Sequence, residues 1–230
     1  MSKKRIAIFG LVAALLFLSV LFGKQVKEQK QVELYVEWLS GEIEQLEDVQ
    51  EIVATVGTQT ITENDIRIYS LLAAVNSAYH DHNDPEAVYT SEQTIEEAFL
   101  TIIHDTVYSA YASDSDIPLP DSDCDAFADR QIEASLHSNY ANQKAIATIE
   151  KEYPSYFKTL FRNLYAQNEV NHEITDGIQD AEQIGQTALD FHMTLLQTYS
   201  VSVFRTAPEC IYEDDFIDRC FEQGIQIDTK

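Results

Sequence analysis

Positive charge is scarce in this chain: 15 Lys and Arg stand against 39 Asp and Glu, a formal charge of −24. So acidic a surface repels phosphate backbones and anionic headgroups, which argues against nucleic acid as a partner. Glycine is sparse too, at 7 residues, and no Gly-rich phosphate-cradling loop is present. The sequence contains neither His-Glu-x-x-His nor Gly-x-Ser-x-Gly, so zinc-protease and serine-hydrolase frameworks are also missing. The three cysteines, Cys124, Cys210 and Cys220, lack the spacing of a zinc site. Cys210 and Cys220 are close enough in sequence to close a small loop, and we expect them to pair and leave Cys124 single. The competing reading is three reduced thiols. His80 and His82, with Asp81 and Asp84, form the one cluster of metal-ligand types, and we read it as a solvated loop between helices. His104, His137, His172 and His192 are dispersed, each read as a helix-surface or half-buried side chain. No catalytic residue, metal or cofactor is expected.

What is present is a globular composition, 45% hydrophobic and 23% charged over 230 residues, enough for one domain with a real core. The N-terminus differs from the rest. Lys3, Lys4 and Arg5 precede an uncharged run from Ile6 to Gly23 rich in Ile, Leu, Val and Phe. At about 1.5 Å per residue that run is near the lower limit for spanning a bilayer. A cleaved signal peptide and a retained anchor compete here. The run exceeds the usual signal-peptide core, and Leu21 spoils a small-x-small site ending at Gly23. Both points favour the anchor. The basic tip then stays cytoplasmic and Lys24 onward lies outside, making a single-pass cell-membrane protein.

The remaining chain is organised around residues 52–66. A β-type run, Ile52 to Val56, meets a turn at Gly57-Thr58-Gln59, and Thr60-Ile61 resume extended structure. Thr62 then caps a helix, its hydroxyl placed to accept from the Asp65 amide, while Glu63 and Asp65 complement the helix dipole. Before this stretch, Val32, Tyr35, Leu39, Ile43 and Leu46 give residues 25–47 an apolar helical face. After it, a helix to about Tyr79 buries Ile68, Leu72 and Val75. Pro85 forbids its continuation. A helix from Ser91 or Thr94 presents Ile95, Ala98, Phe99, Ile102, Ile103, Thr106 and Ala110 inward. The Asp114–Asp121 turn leads to a helix over 122–137, and Pro154 opens an aromatic helix ending near Gly177. A last helix over 180–199 gives way to the β-type run 200–204, and the tail from Thr206 reads as irregular or a short helix near 214–221.

Val53, Ala54, Val56, Ile61, Thr62, Asp65 and Ile66 resemble the entry of the SurA-type N-terminal domain, the peptide-binding portion of SurA and of PrsA-like foldases. Phe99, Ile102, Ile103, Val107 and Ala112, then Ile117, Leu119, Pro120 and Asp121, are similar to a later helix and turn of that family. Asp116 stands where the family commonly has Gly. Phe157, Phe161, Arg162 and Tyr165 echo a further helix. The chain lacks the lipid-bearing cysteine of PrsA proteins. It also lacks the strand–helix pattern and glycine-rich loops of the parvulin prolyl-isomerase insert. The resemblance implies a mainly α SurA N-terminal-like helical domain with a small two- or three-stranded β-sheet, in which Val201 and Val203 return to pair with Val53–Val56. With the anchor, that gives residues 1–24 as tip and transmembrane helix, 25–205 as the domain, and 206–230 as a tail.

Aromatics are plentiful, 12 Tyr and 11 Phe. Tyr108, Tyr111, Tyr140, Tyr153, Tyr156, Phe157, Phe161 and Tyr165 gather on neighbouring helices, as core or as the walls of an apolar cleft. Tyr suits a peptide-binding wall because it offers large area, few rotamers and a polar tip. We take Tyr108, Tyr111, Tyr153, Tyr156, Phe157, Phe161 and Tyr165 as candidate peptide-binding residues. The expected function is a non-enzymatic, membrane-anchored extracytoplasmic chaperone holding unfolded or extended segments of exported proteins. The alternative is a non-catalytic adaptor fixed to an envelope protein partner.

Overall fold

The computed structural model describes residues 30–46, 51–81, 83–135 and 140–230, with backbone alone at 135, 140–142 and 155–158. The tip and anchor of residues 1–24 lie outside the described residues. Among the described residues no helix is long and apolar enough to cross a membrane.

Helix α1 covers residues 30–44. β1 (Ile52–Val56) and β2 (Gln59–Thr62) form an antiparallel hairpin closed at Gly57-Thr58, with Val56 opposite Gln59. Gly57 has φ +56, and a Cβ there would meet Ala110 Cβ and the Tyr199 ring at 3.3 Å, so glycine answers both the turn and the close approach. α2 (Glu63–Asp81) starts as its sequence requires. Thr62 Oγ1 accepts from the Asp65 amide at 3.3 Å, and Asp65 Oδ2 accepts from the Thr62 amide at 2.8 Å. This reciprocal box satisfies two donors at a helix start.

A five-residue helix, α3 (Pro85–Tyr89), follows, capped by Asp84, and then α4 (Glu92–Asp114), capped by Ser91. The remaining helices are α5 (Asp121–Ser135), α6 (Tyr140–Glu152), α7 (Pro154–Thr175) and α8 (Ala181–Thr198). β3 (Val201–Val203) returns antiparallel to β1, with Ala54 opposite Val203 and Val56 opposite Val201. That is the pairing expected for these residues.

The sheet is larger than expected. After a 3-10 turn (Glu209–Tyr212) and α9 (Asp214–Glu222), β4 (Ile227–Thr229) pairs parallel to β3, giving four strands in the order β2-β1-β3-β4. The tail is therefore structural. Ile211, Phe216, Cys220 and Ile225 are wholly buried in the core that also holds Val53, Phe99 and Val203, so a boundary at residue 206 cuts through one core. The Arg219 guanidinium donates to Glu96, tying α9 to α4.

That core lies between the sheet and α4, α8 and α9. A second one, containing Leu39, Ile43, Ile68, Leu71, Val75, Ala145, Ile149 and Phe161, joins α1 and α2 to α6 and α7. The predicted inner face of α4 is buried, with Phe99, Ile103, Val107 and Ala110 fully enclosed.

The Cys210–Cys220 bond is not formed; all three cysteines are free and buried. Both thiols of that pair are packed into the main core, where burial pushes Cys210 up to about 11 and Cys220 up to about 12. Core packing has taken each side chain inward, and the thiolate needed for exchange is suppressed.

Candidate functional site

The five candidate aromatics whose side chains are described do not form one wall. Tyr108 is 2% exposed in the main core, and Phe161 is 7% exposed in the second. Tyr111 packs edge-on to Phe191 of α8 with centroids 5.1 Å apart, while Tyr165 tilts against Phe127 of α5 at 5.6 Å. Tyr153 packs on the second core and accepts from Asn64 Nδ2 at 3.1 Å. The side chains of Tyr140, Tyr156 and Phe157 lie outside the described residues. Helical periodicity identifies an inward residue without saying which core receives it: Tyr108 and Tyr111 go to the first core, Tyr153 and Phe161 to the second.

An open cleft of about 360 Å³ occurs elsewhere, between α2, the α3–α4 joint and the turn at Pro208. Its apolar lining is Ile66, Ile95 and Pro208; its polar lining includes Glu63, Arg67, Tyr89 and Thr90. The α2 residues arrive one turn apart. Glu63 and Arg67 therefore pair across the rim, with Arg67 Nη2 to Glu63 Oε1 at 2.6 Å, and Ile66 and Ser70 lie on the adjoining inward side. Tyr89 ends α3 and stands edge-on to Trp38 of α1 at 5.9 Å. Burial raises its phenol pKa, and the nearby Arg67 works against that rise. Ser70 Oγ, also in the wall, has no hydrogen-bond partner among the described residues.

No known protein family, characterised protein or solved structure matches the chain. The cleft's chemistry is thus read from its own walls. It contains a rim ion pair, three hydroxyls and an apolar floor, without a nucleophile–base arrangement. Such a site can hold an apolar side chain while its rim hydrogen-bonds neighbouring polar groups. Its volume is at the small end of the usual range for ligand pockets, about 300–1,000 Å³.

Two polar assemblies escaped the sequence reading. His104 Nδ1 and His192 Nε2 are 2.7 Å apart, and His104 Nε2 meets Gln223 Oε1 at 3.2 Å. With Gln223 accepting, His104 is protonated on Nε2 and accepts at Nδ1 from His192 Nε2–H. His192 Nδ1 is left buried, with no partner among the described residues, while the ring stacks on Tyr108 at 5.3 Å. Burial, followed by the neighbouring His104, lowers the His192 pKa below its ordinary 6.5.

Between α2, α4 and α7, Tyr69 Oη donates to Asp105 Oδ2 at 2.9 Å, beside a cavity of about 20 Å³ that Asp65 and Asn163 also line. Burial raises both Asp65 and Asp105 above the ordinary carboxylate value. The partners in these assemblies are far apart in sequence, so no local pattern announces them. Of the His80–Asp84 cluster, Asp84 is used as the α3 cap and Asp81 accepts from Ser77, while His82 lies outside the described residues.

Proposed function

We propose that the chain is a membrane-anchored, extracytoplasmic peptide-binding chaperone module without isomerase activity, whose binding surface is the α2–α3–α4 cleft. One observation carries this reading: an open 360 Å³ cleft that combines an apolar floor with an ion-paired, hydroxyl-bearing rim. The floor takes one apolar side chain of an extended segment, and Tyr89 with Arg67 engages the backbone beside it. The anchor rests on the N-terminal sequence, Lys3 to Arg5 followed by the uncharged run to Gly23. The resemblance of residues 52–66 to the SurA-type entry supports the same assignment.

The test is suppression of aggregation of two unrelated unfolded clients by the full chain in detergent micelles. Wild type is expected to protect both. Thr90→Trp, which fills the cleft from an exposed position, is expected to abolish protection while leaving the fold intact by circular dichroism. Equal protection by Thr90→Trp and wild type overturns the cleft as the binding surface. The burial of Tyr108 and Phe161 removes two expected walls of a broad groove, and this favours a second reading: an adaptor fixed to one envelope partner. Failure of folded wild type to protect either client selects the adaptor.

A further inference from the structure

The C-terminal edge of the sheet brings cations together without an acidic partner. In a chain with formal charge −24, a cavity of about 390 Å³ is walled by Arg205, Tyr212, Thr229 and Lys230, two cations and two hydroxyl-bearing residues with no carboxylate side chain. Three other cavities take a different charge pattern: the α2 cleft contains Glu63 beside Arg67, the small cavity has Asp65 and Asp105, and one near Cys124 has Asp121 and Asp125 beside Arg162. Elsewhere Arg67, Lys151, Arg162 and Arg219 each hold a carboxylate. Arg205 and Lys230 hold none among the described residues, although acids outnumber bases. The cavity is also fixed in shape. The Tyr212 hydroxyl donates to the Phe204 carbonyl, and the Lys230 ammonium lies 6.0 Å from the centre of the Phe204 ring.

This cavity lies at the end of an open strand. β4 is the last strand in the order β2-β1-β3-β4, and Gln226, Asp228, Thr229 and Lys230 are exposed. It is bonded to β3 through the Gln226 carbonyl, which accepts from the Val201 amide, and the Lys230 amide, which donates to the Val203 carbonyl. Backbone groups alternate sides along a strand, so the amides and carbonyls of Ile227 and Thr229 face away from β3. Unpaired backbone groups of this kind are a template for one more strand. We infer that the β4 edge takes an extended, acidic segment of a protein partner as a fifth strand, its carboxylates seated between Arg205 and Lys230. Backbone pairing supplies the register, and the two cations of the cavity, set against the single acid Asp228 of β4, select acidic segments within an otherwise repelling field. This surface is separate from the α2 cleft and does not depend on it.

The probe is a fluorescein-labelled hexapeptide, Val-Thr-Val-Thr-Asp-Glu, titrated against the full chain in detergent micelles, with a control in which two lysines replace the acidic pair. Binding is read by anisotropy and by hydrogen exchange at the Ile227 and Thr229 amides. The acidic peptide is expected to bind and slow both amides, and the lysine control to fail. Arg205→Gln with Lys230→Gln, both at exposed positions, is expected to weaken binding about tenfold or more, as for loss of charge-assisted contacts. Thr90→Trp, in the cleft, is expected to leave binding unchanged. Three results overturn the inference: no binding by the acidic peptide, equal binding by the lysine control, or full displacement by inorganic phosphate without any slowing of the two amides. The last would describe a small-anion site instead.

Discussion

His192 shows how much chemistry depends on one ring nitrogen. Its Nε2–H is committed to His104 and its Nδ1 is enclosed without a partner, so an added proton would have no acceptor. The folded pKa is held below 6.5, which means the unfolded chain binds the proton more readily. Stability from this group is therefore full above 6.5 and declines as pH falls from there toward the depressed folded value. Asp65 and Asp105 have the opposite sign. Their raised pKa values favour the folded state in acid, a contribution lost as pH rises through those values. Urea unfolding across about pH 5 to 8 covers the range in which the His192 contribution changes. We expect wild type to lose stability on the acid side of this range and His192→Gln, which retains a donor for His104, to show a flatter profile. An unchanged slope in the variant would remove His192 as its source.

Two helix ends make the same turn with different residues. α4 closes with the Ile117 amide donating to the Ala112 carbonyl at 2.9 Å, and α9 closes with the Ile225 amide donating to the Cys220 carbonyl at 2.9 Å. Each is a Schellman-type end with an apolar residue packed inward just beyond it. The left-handed position is Gly224 in α9, φ +83, but Asp116 in α4, φ +55. An acidic side chain there meets the steric penalty of the left-handed region and sits at the negative end of the helix dipole. Asp116→Gly is expected to raise stability by about 0.5–1 kcal/mol in urea titration, part of the relief being offset by the flexibility of glycine in the unfolded chain. A loss of stability would show that Asp116 makes a contact worth more than the strain. These ends also show what could be read early. The cap at Thr62 and the stripe of α4 follow from short-range chemistry, and both are present; the β1–β3 pairing, also present, is implied only by the resemblance, because its residues stand far apart in the chain. α3, only five residues long, gave too little periodicity; α9 mixes its two inward residues, Phe216 and Cys220, with four acids, so a short helix near 214–221 is only one of two readings of the tail, and it is the one the structure has. The cleft escaped because its walls come from α2, α3, α4 and the distant Pro208.

At the scale of the whole molecule, the final segment belongs to the core. Phe216 is fully buried, 6.1 Å from Phe99 between ring centres, with Arg219 lying over its own face. Phe216→Ala is expected to destabilise the entire domain by about 3–5 kcal/mol, as for other buried aromatics cut to alanine. One cooperative transition shifted to lower urea is the expected readout; local loss of α9 with the rest unchanged would make the tail an independent unit. The sheet gives that dependence a direction in time. Its strands come from residues 52–62 and 201–229, so β1 and β2 can meet β3 and β4 only after the intervening helices have been made. Pairings so distant in sequence close large loops and form slowly compared with helices. During synthesis, the hairpin and the inner face of α4 stay uncovered until residues 201–229 have been made, an interval in which their apolar surface is open to aggregation.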